Sequence, residues 1–275
     1  MPPSISICVA TDDKITTIRQ ALASARACPW CAELLVFDSG STDGSYDLAV
    51  ELADRVERHE WTNYADSKRR MTEAAAHDWV MILDADEQIT PALREEIGRL
   101  TGEDFRGHPL MTMPRRNYLL GRHVLAWDPD TQSRLFDRRR VAWPDRAVHD
   151  YRLPTEGSVK ALRGPLLHNA DVDEFSDYFE GQRYQQRTEA QAREMFEQGR
   201  RVGLCGLWLR PWAAWFKHFV IKGGFLQGSF GLLVAQKAAF SVQLKYARLW
   251  HLQQEGRAQS RGPKTEARDG KDHRN

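Results

Sequence analysis

The chain predicts an α/β fold with a mainly parallel sheet and a helical C-terminal extension. Three observations carry this. Short apolar runs alternate with helix-period segments over the first hundred residues, which is the rhythm of βαβ units. Two of those runs end in acids, at Asp38 and at Asp84-Ala85-Asp86-Glu87. Beyond Asp173 the chain turns to long helical segments rich in aromatics and cations.

"SISICVA" (Ser4–Ala10) is a buried-strand pattern. Ile15–Ala25 has helical spacing, with Ile15, Ile18 and Leu22 on one face. Leu34–Phe37 is a second strand, followed by "SGSTDGS", a helix over Tyr46–Ala53 and a short third strand at Arg55–Arg58. Tyr64–Ala76 reads as a helix and Trp79–Leu83 as the fourth strand. Thr90 fits an N-cap, with Pro91 in the first turn behind it. After Leu100, strands are expected at Leu110–Pro114, Ser133–Phe136 and Val159–Leu167, with long loops between them. Helices follow at Asp173–Gln198, Pro211–Leu226 and Gly231–Gln254. The last stretch, from Glu255, lacks apolar periodicity and is expected to be disordered. The expected division is a sheet domain over 1–170, a helical extension over 171–254 and a tail over 255–275.

A net charge of +1 gives no global field for nucleic acid. The N-terminus lacks a signal-peptide pattern. No apolar run reaches the roughly 18 residues of a spanning helix, so a cytoplasmic protein is expected. Cys28-Pro29-Trp30-Cys31 has the spacing of a thiol redox pair. A helix precedes it and a strand follows, the reverse of the thioredoxin-like order, and no second pair completes a zinc site. Two reduced thiols in a loop are expected.

Three acids in four positions repel one another and need a compensating cation or full hydration. In an open parallel sheet, ligands bind outside the carboxyl ends of the strands. Asp38, Asp84 and Asp86 would share that rim, grouped around Mg²⁺ or Mn²⁺ with a polyphosphate completing the complex. The alternative is helix capping by Ser41, Asp43 or Glu87, which leaves the Asp84–Asp86 pair unexplained. Neither a P-loop nor a GxGxxG follows the first strand.

"FDSGSTDGS" with "WVMILDADE" resembles the inverting family-two glycosyltransferases of GT-A fold, a Rossmann-like architecture. "RRNYLLGR", "WDPDTQSRLFDRR", "AVHD", "GPLLHN" and the distal "KGGFLQGSFGLLVA…LKYARLW" narrow this. They resemble bacterial lipopolysaccharide-core β-1,4-glucosyltransferases and their relatives, over roughly Ser4 to Trp250. The resemblance implies a glucose-like transfer from a nucleotide-sugar, UDP-linked by preference, to a glycolipid or oligosaccharide acceptor of the cell envelope. It places Asp38 on the nucleobase or ribose, and Asp84 on the ribose or the metal's water shell. It places Asp86 on the metal bridging the diphosphate, with His168 as a further metal or phosphate contact; for His168 a satisfied polar residue at the edge of the core is the equal alternative. Asp150, beside His149, becomes the general base, with Asp128 and Asp130 as alternatives or acceptor contacts. Lys68, Arg69 and Arg134 become phosphate contacts; for Lys68 and Arg69 solvated surface charge is the equal alternative.

The chain departs from that pattern. Where relatives carry Thr-x-Asn-Glu at the end of the first strand, it reads Thr11-Asp12-Asp13-Lys14. Thr11 and Asp13 fall in the donor site, and Lys14 inverts a charge there. Asp150 replaces Glu, Lys68-Arg69 replaces a basic-Asn pair, and Leu226-Gln227-Gly228 replaces Leu-Asp-Gly. A catalytically weak sugar-nucleotide-binding scaffold is therefore the rival reading, ahead of a nucleotidyltransferase or a redox role for Cys28 and Cys31. The aromatics and cations of Leu204–Trp250 suit a helix lying on the inner face of a bilayer, or equally packing on the sheet or in a homodimer.

Overall fold

The computed structural model describes residues 2–60, 64–142, 153–169 and 181–261. The chain divides into two compact units, Met1–Asp173 and Glu174–Asn275.

The first unit opens with strand β1 (Ile5–Thr11), helix α1 (Ile15–Arg26), β2 (Cys31–Asp38), α2 (Ser45–Leu52), β3 (Arg55–Arg58), α3 (Tyr64–Ala74) and β4 (Trp79–Asp84). A short β5 (Glu87–Ile89) leads to α4 (Pro91–Arg99) and α5 (Gly102–Gly107). Thr90 caps α4 by accepting from the Leu93 amide at 3.1 Å, as its sequence position predicts. Then come β6 (Leu110–Leu119), β7 (Arg122–His123), β8 (Thr131–Asp137), β9 (Val141–Ala142), β10 (Leu153–Pro154), β11 (Val159–Ala161) and β12 (Leu166–Asn169).

The main sheet runs β3-β2-β1-β4-β8-β6-β12-β5. Strands β1 to β4 are mutually parallel; β8 is antiparallel to both β4 and β6, and β12 is parallel to β6. Alternation along the strands feeds two cores. Ile5, Ile7, Val9, Val36 and Leu83 face α1, α2 and α4, while Cys8, Leu35, Phe37, Val80 and Ile82 face Met71 on α3. Both faces are thus covered, which is why these strands are apolar almost throughout.

Several expectations are corrected. Ile15 is exposed, and the buried face of α1 is Ile18, Ala21, Leu22 and Ala25. Strand β6 continues to Leu119, because its second half pairs with β12. The strand expected over Val159–Leu167 is two strands, β11 and β12. The chain turns at Gly164, where a Cβ would meet the Leu93 Cα at 2.4 Å. Cys28 and Cys31 are free, as expected, but Cys31 opens β2 rather than lying in a loop. Burial pushes their thiols up to about 12 and about 11, with the neighbouring Cys31 adding to the rise at Cys28.

In the second unit, α6 (Gln182–Glu197), α7 (Leu204–Phe216) and α8 (Gly228–Arg261) pack around Ala192, Met195, Val202, Tyr246 and Leu249. Pro211 lies inside α7 rather than opening a helix. α8 continues past Gln254, through residues expected to be disordered. The glycines of "KGGFLQGSFG" permit close backbone approach: a Cβ on Gly231 would sit 1.8 Å from the Gly224 carbonyl oxygen. No described helix is long and apolar enough to cross a membrane.

Candidate active site

Register sets the rim. Thr11 lies beside Asp38 across β1–β2, and Ala10 lies beside Asp84 across β1–β4. Asp38 is fully buried. Its Oδ1 accepts from the amides of Gly40 and Ser41 at 3.0 and 3.1 Å. Its Oδ2, like the hydroxyl of adjacent Thr11, has no hydrogen-bond partner among the described residues. A buried polar atom left so is costly and calls for a partner, such as water or a ligand.

The "SGSTDGS" loop bonds the amides that lead into α1, and Asp43 Oδ1 also accepts from the Ser45 amide at the start of α2, at 2.9 Å. Ser41 Oγ accepts from the Asp13 amide at 3.0 Å, Ser45 Oγ from Lys14 at 2.8 Å, and Asp43 Oδ2 from Ile15 at 2.8 Å. Asp13 returns a bond, its Oδ1 accepting from the Thr42 amide at 2.7 Å. Asp13 takes a left-handed φ of 49°, a conformation that Asp tolerates better than most residues. Loop and helix start are therefore one wired unit, and Gly44, at the N-cap of α2, supplies no side-chain bond of its own.

The acids at the end of β4 are neutralised by the chain's own cations. Lys68 lies 3.0 Å from Asp84 Oδ1, and Arg134 donates to Asp84 Oδ2. Both cations are buried. Burial opposes ionisation of Asp84, but Arg134 and then Lys68 override it and hold the carboxyl far below the usual range. Glu87 is fully buried and accepts from Arg134 at 2.6 Å, from Arg115 at 2.9 Å and from the Asp84 amide at 3.2 Å. It faces this network and does not cap α4. Lys14 lies 3.4 Å from Asp86 Oδ2, and His168 Nε2 lies 3.7 Å from Asp86 Oδ1.

Strand β12 places His168 beside Asn117. Asn117 Nδ2 donates to Asp130 at 3.0 Å, and its Oδ1 faces His168 Nδ1 at 2.8 Å. Asp130 also accepts from Arg115 Nε at 2.8 Å and Gln132 at 2.6 Å. An ionised carboxylate only accepts, which fixes the orientation of the Asn117 amide. Its Oδ1 is then an acceptor, so Nδ1 of His168 carries a proton and Nε2 faces Asp86. With Nδ1 so committed, Nε2 is the ring nitrogen a metal ion would use. Burial opposes ionisation of Asp130, but the bonds from Asn117, Arg115 and Gln132 hold its carboxyl below the ordinary range.

Asp38, Thr11, Asp13, Asp84, Asp86, Lys68, Arg134, His168 and Asp130 thus belong to one connected rim. Lys68 is buried there, whereas Arg69 pairs with Asp66 on the solvent side. Asp128 pairs with His123 at 3.0 Å, next to a cis peptide bond to Pro129. His149 and Asp150 lie outside the described residues. Sequence reasoning missed Arg115 and Asn117, and misread Glu87.

No group of three or more His, Cys, Asp or Glu side chains gathers as a metal cage among the described residues. A nucleotide-bound Mg²⁺ or Mn²⁺ needs only one or two protein carboxylates, because phosphate and water complete its shell. Asp86 with the oriented Nε2 of His168 fits such an ion.

A family model described as "Glycosyl transferase family 2" matches residues 6–151, just over half of the chain. The lipopolysaccharide core biosynthesis glycosyltransferase LpsC of Rhizobium meliloti is 27% identical over 234 residues, covering 80% of this chain and 83% of that one. An uncharacterised glycosyltransferase of Rickettsia felis is 23% identical over 258 residues, covering 89% of each. Among solved structures, glucosyl-3-phosphoglycerate synthase from Mycobacterium tuberculosis, with Mn²⁺, UDP and glucosyl-3-phosphoglycerate, aligns at 21% identity and a TM-score of 0.34. That alignment covers 42% of this chain and 44% of that one. On the family match, which spans more than half of its residues, the chain belongs to glycosyl transferase family 2.

Proposed function

We propose that this chain transfers a glucose-like sugar from a nucleotide-sugar, UDP-linked by preference, to a lipopolysaccharide-core or related glycolipid acceptor. The transfer inverts the anomeric centre and depends on a divalent cation. Family membership and the similarity to LpsC across four-fifths of the chain support this. One observation carries it: the unsatisfied Asp38 and Thr11 lie on the same rim as the Asp86–His168 pair.

Asp38 and Thr11 accept and donate to the nucleoside. Asp86 and His168 hold the cation. A cation there supplies positive charge to the leaving diphosphate. Lys68 and Arg134 fix Asp84 facing the ribose side. Asp150 takes the proton of the acceptor hydroxyl during one in-line displacement, a role resting on the sequence pattern. Asp130, committed to three donors, is a positioning group for Asn117 and His168; Asp128 is the alternative base.

The rival, a sugar-nucleotide-binding scaffold with weak turnover, is favoured by one feature, the lysine already seated on Asp86. Calorimetric titration of UDP, ADP, GDP, CDP and dTDP, with and without Mn²⁺, tests both. Metal-dependent binding of one nucleotide, lost in Asp86→Ala, with turnover in the presence of acceptor, supports the transferase. Binding without transfer supports the scaffold, and no binding of any nucleotide refutes the donor site.

We infer further that the second unit rests on the cytoplasmic surface of a bilayer. Leu204, Trp208, Trp212 and Phe216 recur every fourth residue of α7 and are exposed, Trp208 by 74% and Trp212 by 65%. Lys217 and Lys222 follow directly. An exposed aromatic stripe beside cations suits a bilayer interface. Pelleting with anionic liposomes that disappears in Trp208→Ala/Trp212→Ala supports this. No pelleting at low salt, together with a dimer that the same substitutions dissociate, assigns the stripe to a homodimer.

A further inference from the structure

Lys14 stands where the metal-dependent reading needs a divalent cation. Its Nζ lies 3.4 Å from Asp86 Oδ2, while His168 Nε2 lies 3.7 Å from Asp86 Oδ1. The carboxylate is bracketed, one cationic or coordinating group to each oxygen. The backbone around the lysine is fixed by the three side-chain bonds from Ser41, Asp43 and Ser45. Its side chain is only 12% exposed. Asp84 differs: two buried cations hold it, and Glu87 anchors one of them. Asp86 is therefore the carboxylate of this rim whose cation can be exchanged.

We propose that Lys14 is a tethered counter-ion for Asp86 in the donor-free protein. It yields that place when a divalent cation and a nucleoside diphosphate arrive together, so that metal binding depends on nucleotide. This rests on the metal-dependent reading above. The reasoning is electrostatic. An ammonium and a divalent cation within a few ångströms of the same carboxylate repel each other. Metal alone must therefore push the ammonium off the carboxylate that it covers. A diphosphate brings anionic oxygens that receive the ammonium while the metal takes Asp86. The exchange needs only rotation about the flexible four-carbon stem, and the backbone stays in place.

The test is a titration of the full chain with Mn²⁺, following the free-ion signal by electron paramagnetic resonance. It is run first without nucleotide, for the wild type, Lys14→Met and Lys14→Gln. The expected result is Mn²⁺ binding at least tenfold tighter in both variants than in the wild type. Adding Asp86→Ala to Lys14→Met should abolish that gain. A repeat with the nucleoside diphosphate selected by the calorimetric panel should tighten Mn²⁺ binding strongly in the wild type and much less in the variants. Equal Mn²⁺ affinity in the wild type and both variants overturns the role of Lys14. If nucleotide still tightens binding in that case, the metal-dependent reading survives. A gain that persists without the Asp86 carboxylate also overturns it. Absence of Mn²⁺ binding in every protein, with and without nucleotide, overturns the proposal and the metal-dependent reading together.

Discussion

Asn117→Leu tests the hydrogen-bond chain that orients His168. The substitution keeps most of the side-chain volume and removes both polar contacts, one to Asp130 at 3.0 Å and one to His168 Nδ1 at 2.8 Å. The bond to the Asp130 carboxylate is charge-assisted, worth about 1.5–3 kcal/mol, and the bond to the imidazole about 1 kcal/mol. His168 is partly exposed and Asp130 keeps two other donors. Water therefore recovers part of the loss, and the expected destabilisation is about 2 kcal/mol. The functional cost is separate. Without Asn117 no described contact holds a proton on His168 Nδ1, so Nε2 is no longer reserved for a metal ion. Loss of a group that orients a metal ligand costs roughly 10–100-fold in metal affinity. Nitrogen-15 NMR of imidazole-labelled protein should show the Nδ1-protonated tautomer in the wild type and a mixture in the variant. Mn²⁺ affinity with nucleotide bound should fall by the factor above. An Nε2-protonated His168 in the wild type, or unchanged Mn²⁺ affinity in the variant, would refute the reasoning.

Glu87→Gln leaves Arg115 and Arg134 without their shared buried anion. It should destabilise the fold by about 3 kcal/mol, the low end for breaking a buried pair, because the amide oxygen still accepts one bond; guanidinium unfolding that matches the wild type would refute it. Asp84 has a depressed carboxyl pKa in the folded state. Its stabilisation is fully present above the unfolded value of about 3.9 and is lost as pH falls. Asp84→Asn should therefore flatten the acid limb of the stability curve below about pH 4, measured by urea unfolding across pH. Thiol labelling at pH 8 should modify exposed Cys205 first; Cys28 and Cys31, with thiols near 12 and 11, should resist until the protein unfolds. Fast labelling of the pair would revive its redox reading. Gly231→Ala drives a methyl into the Gly224 carbonyl and should reduce the Tm markedly by calorimetry, whereas Gly199→Ala, with open space around it, should cost only the strain of its left-handed φ.

The first hundred residues were legible because their signals are local. Buried parallel strands read as continuous apolar runs, and the Thr90–Pro91 pair marks a helix start without help from distant residues. Beyond Leu100 the deciding interactions are tertiary. "RRNYLL" reads as a loop, and becomes strand because β12 returns to pair with it. Pro211 is an expected helix opener that the helix passes through. The same division holds at the site. Asp38, Asp84 and Asp86 were readable as acids ending apolar runs. Their partners were not, because Lys14, Lys68, Arg115 and Arg134 come from four separate segments. Glu87 reads as an acid near a helix start. What turns it inward is β5, three residues long, pairing with β12. Asn117 lies in the "RRNYLLGR" stretch, which gives it no role by itself; only the placement of His168 beside it gives it a task.

The charges of this rim bear on why the proposed transfer would need a divalent cation. Asp84, Asp86, Glu87 and Asp130 are balanced by Lys14, Lys68, Arg115 and Arg134, while Asp13 and Asp38 add carboxylates outside those pairs. At an effective dielectric near 20, an opposite pair 4 Å apart is worth about 4 kcal/mol and a like pair costs as much. Acids so close together therefore require that balance to coexist in the donor-free fold. A nucleoside diphosphate adds further negative charge to a rim whose cations are already matched to its acids. Lys68, Arg115 and Arg134 cannot turn to it without uncovering buried carboxylates. Lys14 can, but by leaving Asp86 it only moves the deficit from one anion to another. The surplus is then closed by charge from outside the chain, at the one carboxylate that has just been uncovered.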